Sequence, residues 1–243
     1  MFSGLVTIQQ TFFDPRLIAQ VLPQLVLTGL PNTILLAVFA SLIGLVFALV
    51  IATGLSARQS WLRLPCRCYV DVLRGLPHIL TIYIVGQGLP LAGLALFGNN
   101  TYAYAALAIG LIESAYMAEI LRAGLQSVEK GQIQAARSLG MSPLSTFIHV
   151  TLPQGIRRVL PPLTGQFILV IKGTALVFLL GLTSGQREIF SIAQDAAIND
   201  ANLSPLMAAG IFYLLLTVPM TYAVNAWERR MGVTTRKVKT DGQ

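Results

Sequence analysis

The chain alternates long apolar stretches with short polar ones, and the apolar stretches are too long and too evenly hydrophobic for strands or for amphipathic surface helices. From Leu17 to Ala57 there is no charged residue. The part from 28 to 55 exceeds the roughly 20 residues that carry a helix across a bilayer, and it predicts a first span. Comparable runs predict spans at about 76–97, 101–125, 163–182 and 205–227. Upstream, Phe12 to Leu27 reads as a short interfacial helix broken by Pro15 and Pro23. In the second span Pro77 stands at the start, and Gly86, Gly88 and Pro90 loosen the far half. Ser184 to Ser204, with Arg187, Glu188, Asp195 and Asp200, reads as an acid-leaning outer loop. The expected fold class is all-α, an integral membrane helical bundle of five transmembrane helices, in a single domain over residues 1–243.

Composition supports lipid as the solvent. Of 243 residues 54% are hydrophobic and 11% charged, at a mean hydropathy of +0.68, whereas soluble domains carry about a quarter charged residues. The formal charge of +7 raises the question of nucleic acid. The basic residues instead collect in loops flanking the apolar runs, with no single patch interleaved with aromatics, so no nucleic-acid partner is expected. Arg58, Arg63 and Arg67 follow the first span in a loop that contains no acid, and the tail ERRMGVTTRKVK is strongly basic. Both mark the cytoplasmic side, which places the N-terminus outside and the C-terminus inside. The N-terminal stretch lacks a basic start and an A-x-A site, and is not read as a cleaved signal peptide.

Catalytic signatures are absent from the sequence. There is no GxxxxGK[ST], so no ATP-binding P-loop, and no HExxH or GxSxG. His78 and His149 stand alone, and Cys66 with Cys68 forms a lone CxC without a second pair, which predicts neither a metal site nor a disulfide framework. The chain is therefore expected to be non-catalytic, with its energy supplied by a partner. Two charges fall inside spans, Glu113 in the third and Lys172 in the fourth, where an ionised side chain is costly and normally faces a bundle interior, a partner or a water-filled path. Either they pair with each other across the two spans, or they line a solute path, Glu113 receiving an amino or guanidino group and Lys172 a carboxylate. Glu119 and Arg122, three apart on one helical face, suggest a local ion pair.

Between the third and fourth spans lies a polar connector, 128–162. Gly140 allows a left-handed helix stop, and Ser142 followed by Pro143 makes an N-cap and first-turn pair, so two short helices joined by a hinge are predicted. Pro153 is expected to end the second of them, with Arg157 and Arg158 preceding the paired Pro161 and Pro162. The residues Gly131, Gln132, Ala135, Ala136 and Gly140, followed by Leu152, Pro153 and Gln154, resemble the coupling loop of the membrane subunits of ABC importers. The likeness is to those for polar amino acids, the histidine, glutamine and arginine permease-like family. Other stretches resemble the same family: TGLPNTILLA at the first span, Tyr69 to Pro77 with Leu76 where Thr is common, AYMAEILRAG in the third span, and Lys172, Gly173, Thr174, Ala175 and Leu176 where the family has KDTSL. The family usually carries Glu where this chain has Gln134.

That resemblance implies a type I ABC importer permease in the bacterial cytoplasmic (inner) membrane, translocating polar or basic amino acids. Gln134, Ala135, Ala136, Leu139, Gly140, Met141 and Ser142 would dock on an ATPase subunit, and Glu113, Lys172, Thr174 and Glu119 would lie along the substrate path. The implied partners are two ATP-binding subunits, which would hold ATP and Mg, a second identical or homologous permease, an external substrate-binding protein, the amino acid and membrane lipid. The chain itself would bind no cofactor. Alternatives are a permease for another small solute, such as an opine or organic cation, or an ion-coupled secondary carrier. The carrier is disfavoured by the lack of self-similar halves.

Overall fold

The computed structural model describes residues 2–230, and the basic tail beyond Arg230 lies outside them. Twelve α-helices are found among the described residues: α1 (Phe2–Phe12), α2 (Pro15–Gln24), α3 (Leu30–Leu55), α4 (Ser60–Gly75), α5 (His78–Tyr83), α6 (Leu89–Leu91), α7 (Thr101–Gln126), α8 (Lys130–Ser138), α9 (Pro143–Thr146), α10 (Leu152–Gly173), α11 (Ile189–Asn199) and α12 (Ser204–Arg230). Among the described residues four helical rods, built around α3, α7, α10 and α12, are long and apolar enough to cross a membrane. The bent pair of α4 with α5–α6 makes a fifth when the two are taken as one span.

The heart of the bundle is the pairing of α3 with α7. Ala40, Gly44 and Ala48 recur every fourth residue on α3, and Ala106, Gly110, Ser114 and Ala118 do so on α7; all are buried. Small side chains let two backbones approach where lipid offers no hydrophobic drive for association. A Cβ on Gly110 would fall 2.7 Å from Ile43 and 3.0 Å from the Ala40 carbonyl oxygen, so nothing larger than glycine fits without movement.

Several sequence expectations need correction, mostly at prolines. The break near the N-terminus lies at Phe13 and Asp14, not within α2. Pro15 opens α2 behind the Asp14 cap, whose carboxylate accepts from the Arg16 N–H at 2.9 Å, and Pro23 lies inside the helix. Nor does Pro153 end a helix: Pro143–Leu180 is one helical rod of 38 residues, and Pro161 and Pro162 are inside α10. At Pro31, Pro90 and Pro153 the same device recurs. The leucine before each proline donates its N–H five residues back, Leu30 to Leu25, Leu89 to Ile84 and Leu152 to Phe147, closing a π-turn. The wider turn draws away the carbonyl that the proline ring would otherwise strike, and the helix passes through.

The second span does not run straight from 76 to 97. Leu76 is extended (φ −81°, ψ 142°) because Pro77 follows it, and α4 meets α5–α6 at 109°. His78–Leu91 then rises only about 21 Å at about 1.5 Å per residue. Ser184 to Ser204 is not a plain loop: it holds α11, whose Ile189, Ile192 and Ala193 pack with Val21, Leu25, Ala208 and Ala209 in a core of their own.

Candidate functional site

The connector has the jointed form its residues suggest. At the end of α8 the Gly140 N–H donates to the Arg137 carbonyl (3.1 Å) and the Met141 N–H to that of Ala136 (3.2 Å), with Gly140 at φ +86°. This paired closure satisfies the last carbonyls and needs a left-handed residue at that place. The Arg137 guanidinium also reaches the Met141 carbonyl. Ser142 caps α9, accepting from the Ser145 N–H at 3.1 Å. Gln134, Ala135, Leu139, Gly140 and Ser142 are exposed and Met141 half-buried, whereas Ala136 is turned inward and buried. Leu139 is 85% and Leu144 67% exposed, an apolar tip on a polar hairpin.

The base of this hairpin is locked to the spans. A Cβ on Gly124 of α7 would collide with the Val159 side chain of α10, and one on Gly155 of α10 would lie 2.8 Å from Leu125. The Arg158 guanidinium donates to the Ser127 carbonyl and, at 3.1 Å, to its hydroxyl. Gln154 donates to Gln132 at 2.6 Å, joining the two ends of the connector motif. A free tip on a base without slack is the geometry of a lever.

At mid-span Glu113 is 4% exposed and accepts from the Gln166 amide at 2.5 Å. It does not meet Lys172, which is exposed. The ion pairs among the described residues are Arg67–Asp71, Arg122–Glu119 and Arg187–Asp195. Lys172 lies six residues beyond Gln166 on the same helix, roughly 240° around its axis, so the two cannot face one neighbour. Gln166 also lines a groove of about 440 Å³ with Thr221, Asn225 and Glu228. Thr174 is buried and its hydroxyl donates to the Ile171 carbonyl at 2.7 Å. Glu119 takes two donors from Arg122 at 2.6 and 3.0 Å, the local pair its spacing suggested.

Sequence reading missed Glu188. It is fully buried, caps α11 through the N–H groups of Phe190 and Ser191 (both 2.6 Å), and accepts from the hydroxyls of Ser191 (2.6 Å) and Tyr213 of α12 (2.9 Å). The start of α3 grips the same segment: Asn32 donates to the carbonyls of Gly185 (2.9 Å) and Arg187 (3.0 Å), and the Thr33 hydroxyl accepts from the Ile189 N–H at 3.1 Å. The available signal was an acid directly before the apolar run IFSIA.

Comparison with known proteins gives one answer. The family model described as binding-protein-dependent transport system inner membrane component matches residues 40–233. A probable glutamine ABC transporter permease protein, GlnM of Bacillus subtilis (strain 168), is 35% identical over 67% of this chain and 73% of its own length. The octopine transport system permease protein OccM of Rhizobium radiobacter is 34% identical over 95% of this chain and 98% of its own. Among solved structures, an amino acid ABC transporter crystallised with histidines superposes at a TM-score of 0.80 with 28% identity, covering 89% of this chain and 98% of that one.

Proposed function

The chain belongs to the binding-protein-dependent transport system inner membrane component family, and from that premise we propose that it is the membrane permease subunit of an ATP-driven ABC importer for polar amino acids. Relatives named for glutamine and octopine transport and the solved amino acid transporter support that substrate class. The close and nearly full-length similarity to an octopine permease favours an opine as the second reading.

The observation that carries the mechanism is the hairpin with an exposed apolar tip at Leu139 and a base clamped at Gly124, Gly155 and Arg158. In this reading it faces the cytoplasm, the N-terminus lies outside, and the tip seats in one of two partner ATPase subunits, which bind the ATP and Mg. Their closure moves the hairpin, and α7 and α10 tilt with it because the base has no give. A second permease completes the path, and an external binding protein delivers the solute. Gln134 leaves the docking face without the charge of a Glu, so contact there rests on shape and apolar burial. Glu113 and Gln166 form the polar station at mid-depth, Lys172 lies farther along α10 with Thr174 just past its end, and Glu119 sits toward the hairpin end. The cation of a solute is held at Glu113, where the carboxylate already has one donor and accepts others.

The test is uptake by the reassembled complex in vesicles. ATP-dependent uptake of polar amino acids is expected, with Leu139→Asp releasing the ATPase subunits while the permease stays folded in the membrane. Uptake by this chain without any ATPase subunit, or full coupling by the Leu139→Asp protein, would overturn the reading.

A further inference from the structure

A cavity of about 620 Å³ opens at the hairpin end of the bundle, where α3, α4 and α7 meet. Arg63 and Arg67 of α4 line it, together with Arg122 and Gln126 of α7. Two of these arginines are partly neutralised, Arg122 by Glu119 at 2.6 Å and Arg67 by Asp71 in a largely exposed pair at 3.4 Å. The Arg63 guanidinium makes no hydrogen bond or ion pair among the described residues, and Arg58 adds a further charge in the same connector. Ser60, which also lines the cavity, opens α4, and Gln59 before it supplies no side-chain cap. The Leu62 and Arg63 N–H groups donate to the Gln59 carbonyl, so the Ser60 and Trp61 N–H groups and the positive end of the helix dipole add to the arginines.

The helix that carries these arginines has the form of an interfacial helix. It meets α5–α6 at 109°, and its first turns expose Trp61 (72%), Leu62 and Leu64 beside the arginines. Tryptophan favours the membrane boundary, and arginines next to apolar side chains suit the headgroup layer.

We infer that this cavity binds the headgroup of an anionic phospholipid. The phosphate lies between Arg63, Arg67 and the N-terminus of α4, and the acyl chains run over Trp61 and Leu64. A free phosphate shares the headgroup's chemistry and would satisfy the same arginines. It would leave the apolar rim uncovered, which is why the lipid is the favoured occupant. The inference rests on the bundle being membrane-embedded and is independent of the solute carried.

The test uses the full chain with its partner subunits, purified with phosphatidylglycerol or with phosphatidylcholine, and native mass spectrometry to count retained lipid. The wild type should keep one more phosphatidylglycerol than the Arg63→Gln/Arg67→Gln protein, with about tenfold weaker retention in the variant. Phosphatidylcholine retention should be equal in the two, Arg157→Gln should change nothing, and excess inorganic phosphate should leave the lipid in place. Equal retention by wild type and variant overturns the site, and displacement by inorganic phosphate makes it a free-anion site. Should the double variant fail to fold, Arg63→Gln alone carries the readout, since the Arg63 guanidinium has no protein partner to lose; about threefold weaker retention supports the site and unchanged retention overturns it.

Discussion

Among the described residues two carboxylates are buried, Glu113 and Glu188, and their surroundings differ in kind. Around Glu188 everything is closed: two backbone N–H groups and two hydroxyls end on it, and Asn32 and Thr33 hold the backbone on either side. Around Glu113 one amide donor is present, and that amide belongs to a residue lining a groove. An ionised carboxylate accepts about four hydrogen bonds. Glu188 is saturated and ties α11 to α12; Glu113 is left with capacity, and in the proposed reading that spare capacity is where the cation of a solute binds. Burial alone does not separate the two roles. The donor count does.

The largest effect is expected from Glu188→Ala. It orphans two N–H groups and two hydroxyls, and each buried unsatisfied group costs about 1–3 kcal/mol. Thermal unfolding in detergent should show a loss of at least about 3 kcal/mol, or no folded protein, with Glu188→Gln between the variant and wild type. Next, Glu113→Gln should lower uptake at least about tenfold while thermal stability changes by less than about 1 kcal/mol. If Glu113→Gln instead melts like Glu188→Ala, the contrast between the two sites disappears. The smallest effect is expected from Gly140→Ala. Open space surrounds that position, so the change costs only the left-handed strain at φ +86°, about 1 kcal/mol. It should weaken ATPase coupling a few-fold without altering ATPase-free insertion, read as nucleotide hydrolysis stimulated by solute.

Local signals are legible in the residues themselves. The charge-free stretch from Leu17 to Ala57 announces a span by its length, and Gly140 followed by Ser142 and Pro143 announces a stop and a restart because each acts on its own backbone. The prolines mislead for the same reason. Pro153 breaks a regular α-turn, and only the π-turn of Phe147–Thr151 before it keeps the rod whole. The bend at Leu76 and Pro77 is visible as a local break, but its 109° depends on what α4 packs against.

Sequence by itself determined the all-helical class, the apolar rods and the jointed connector, since periodicity, length and caps are properties of neighbours along the chain. Tertiary structure alone decided which distant groups meet: Gln154 with Gln132, Gln166 with Glu113 in place of Lys172, and Tyr213 with Glu188. A polar side chain in a span must find a partner, but which partner depends on the rotation and depth of two packed helices. Those are set by stripes of small residues such as Ala40, Gly44 and Gly110 acting together, and not by any one position read alone.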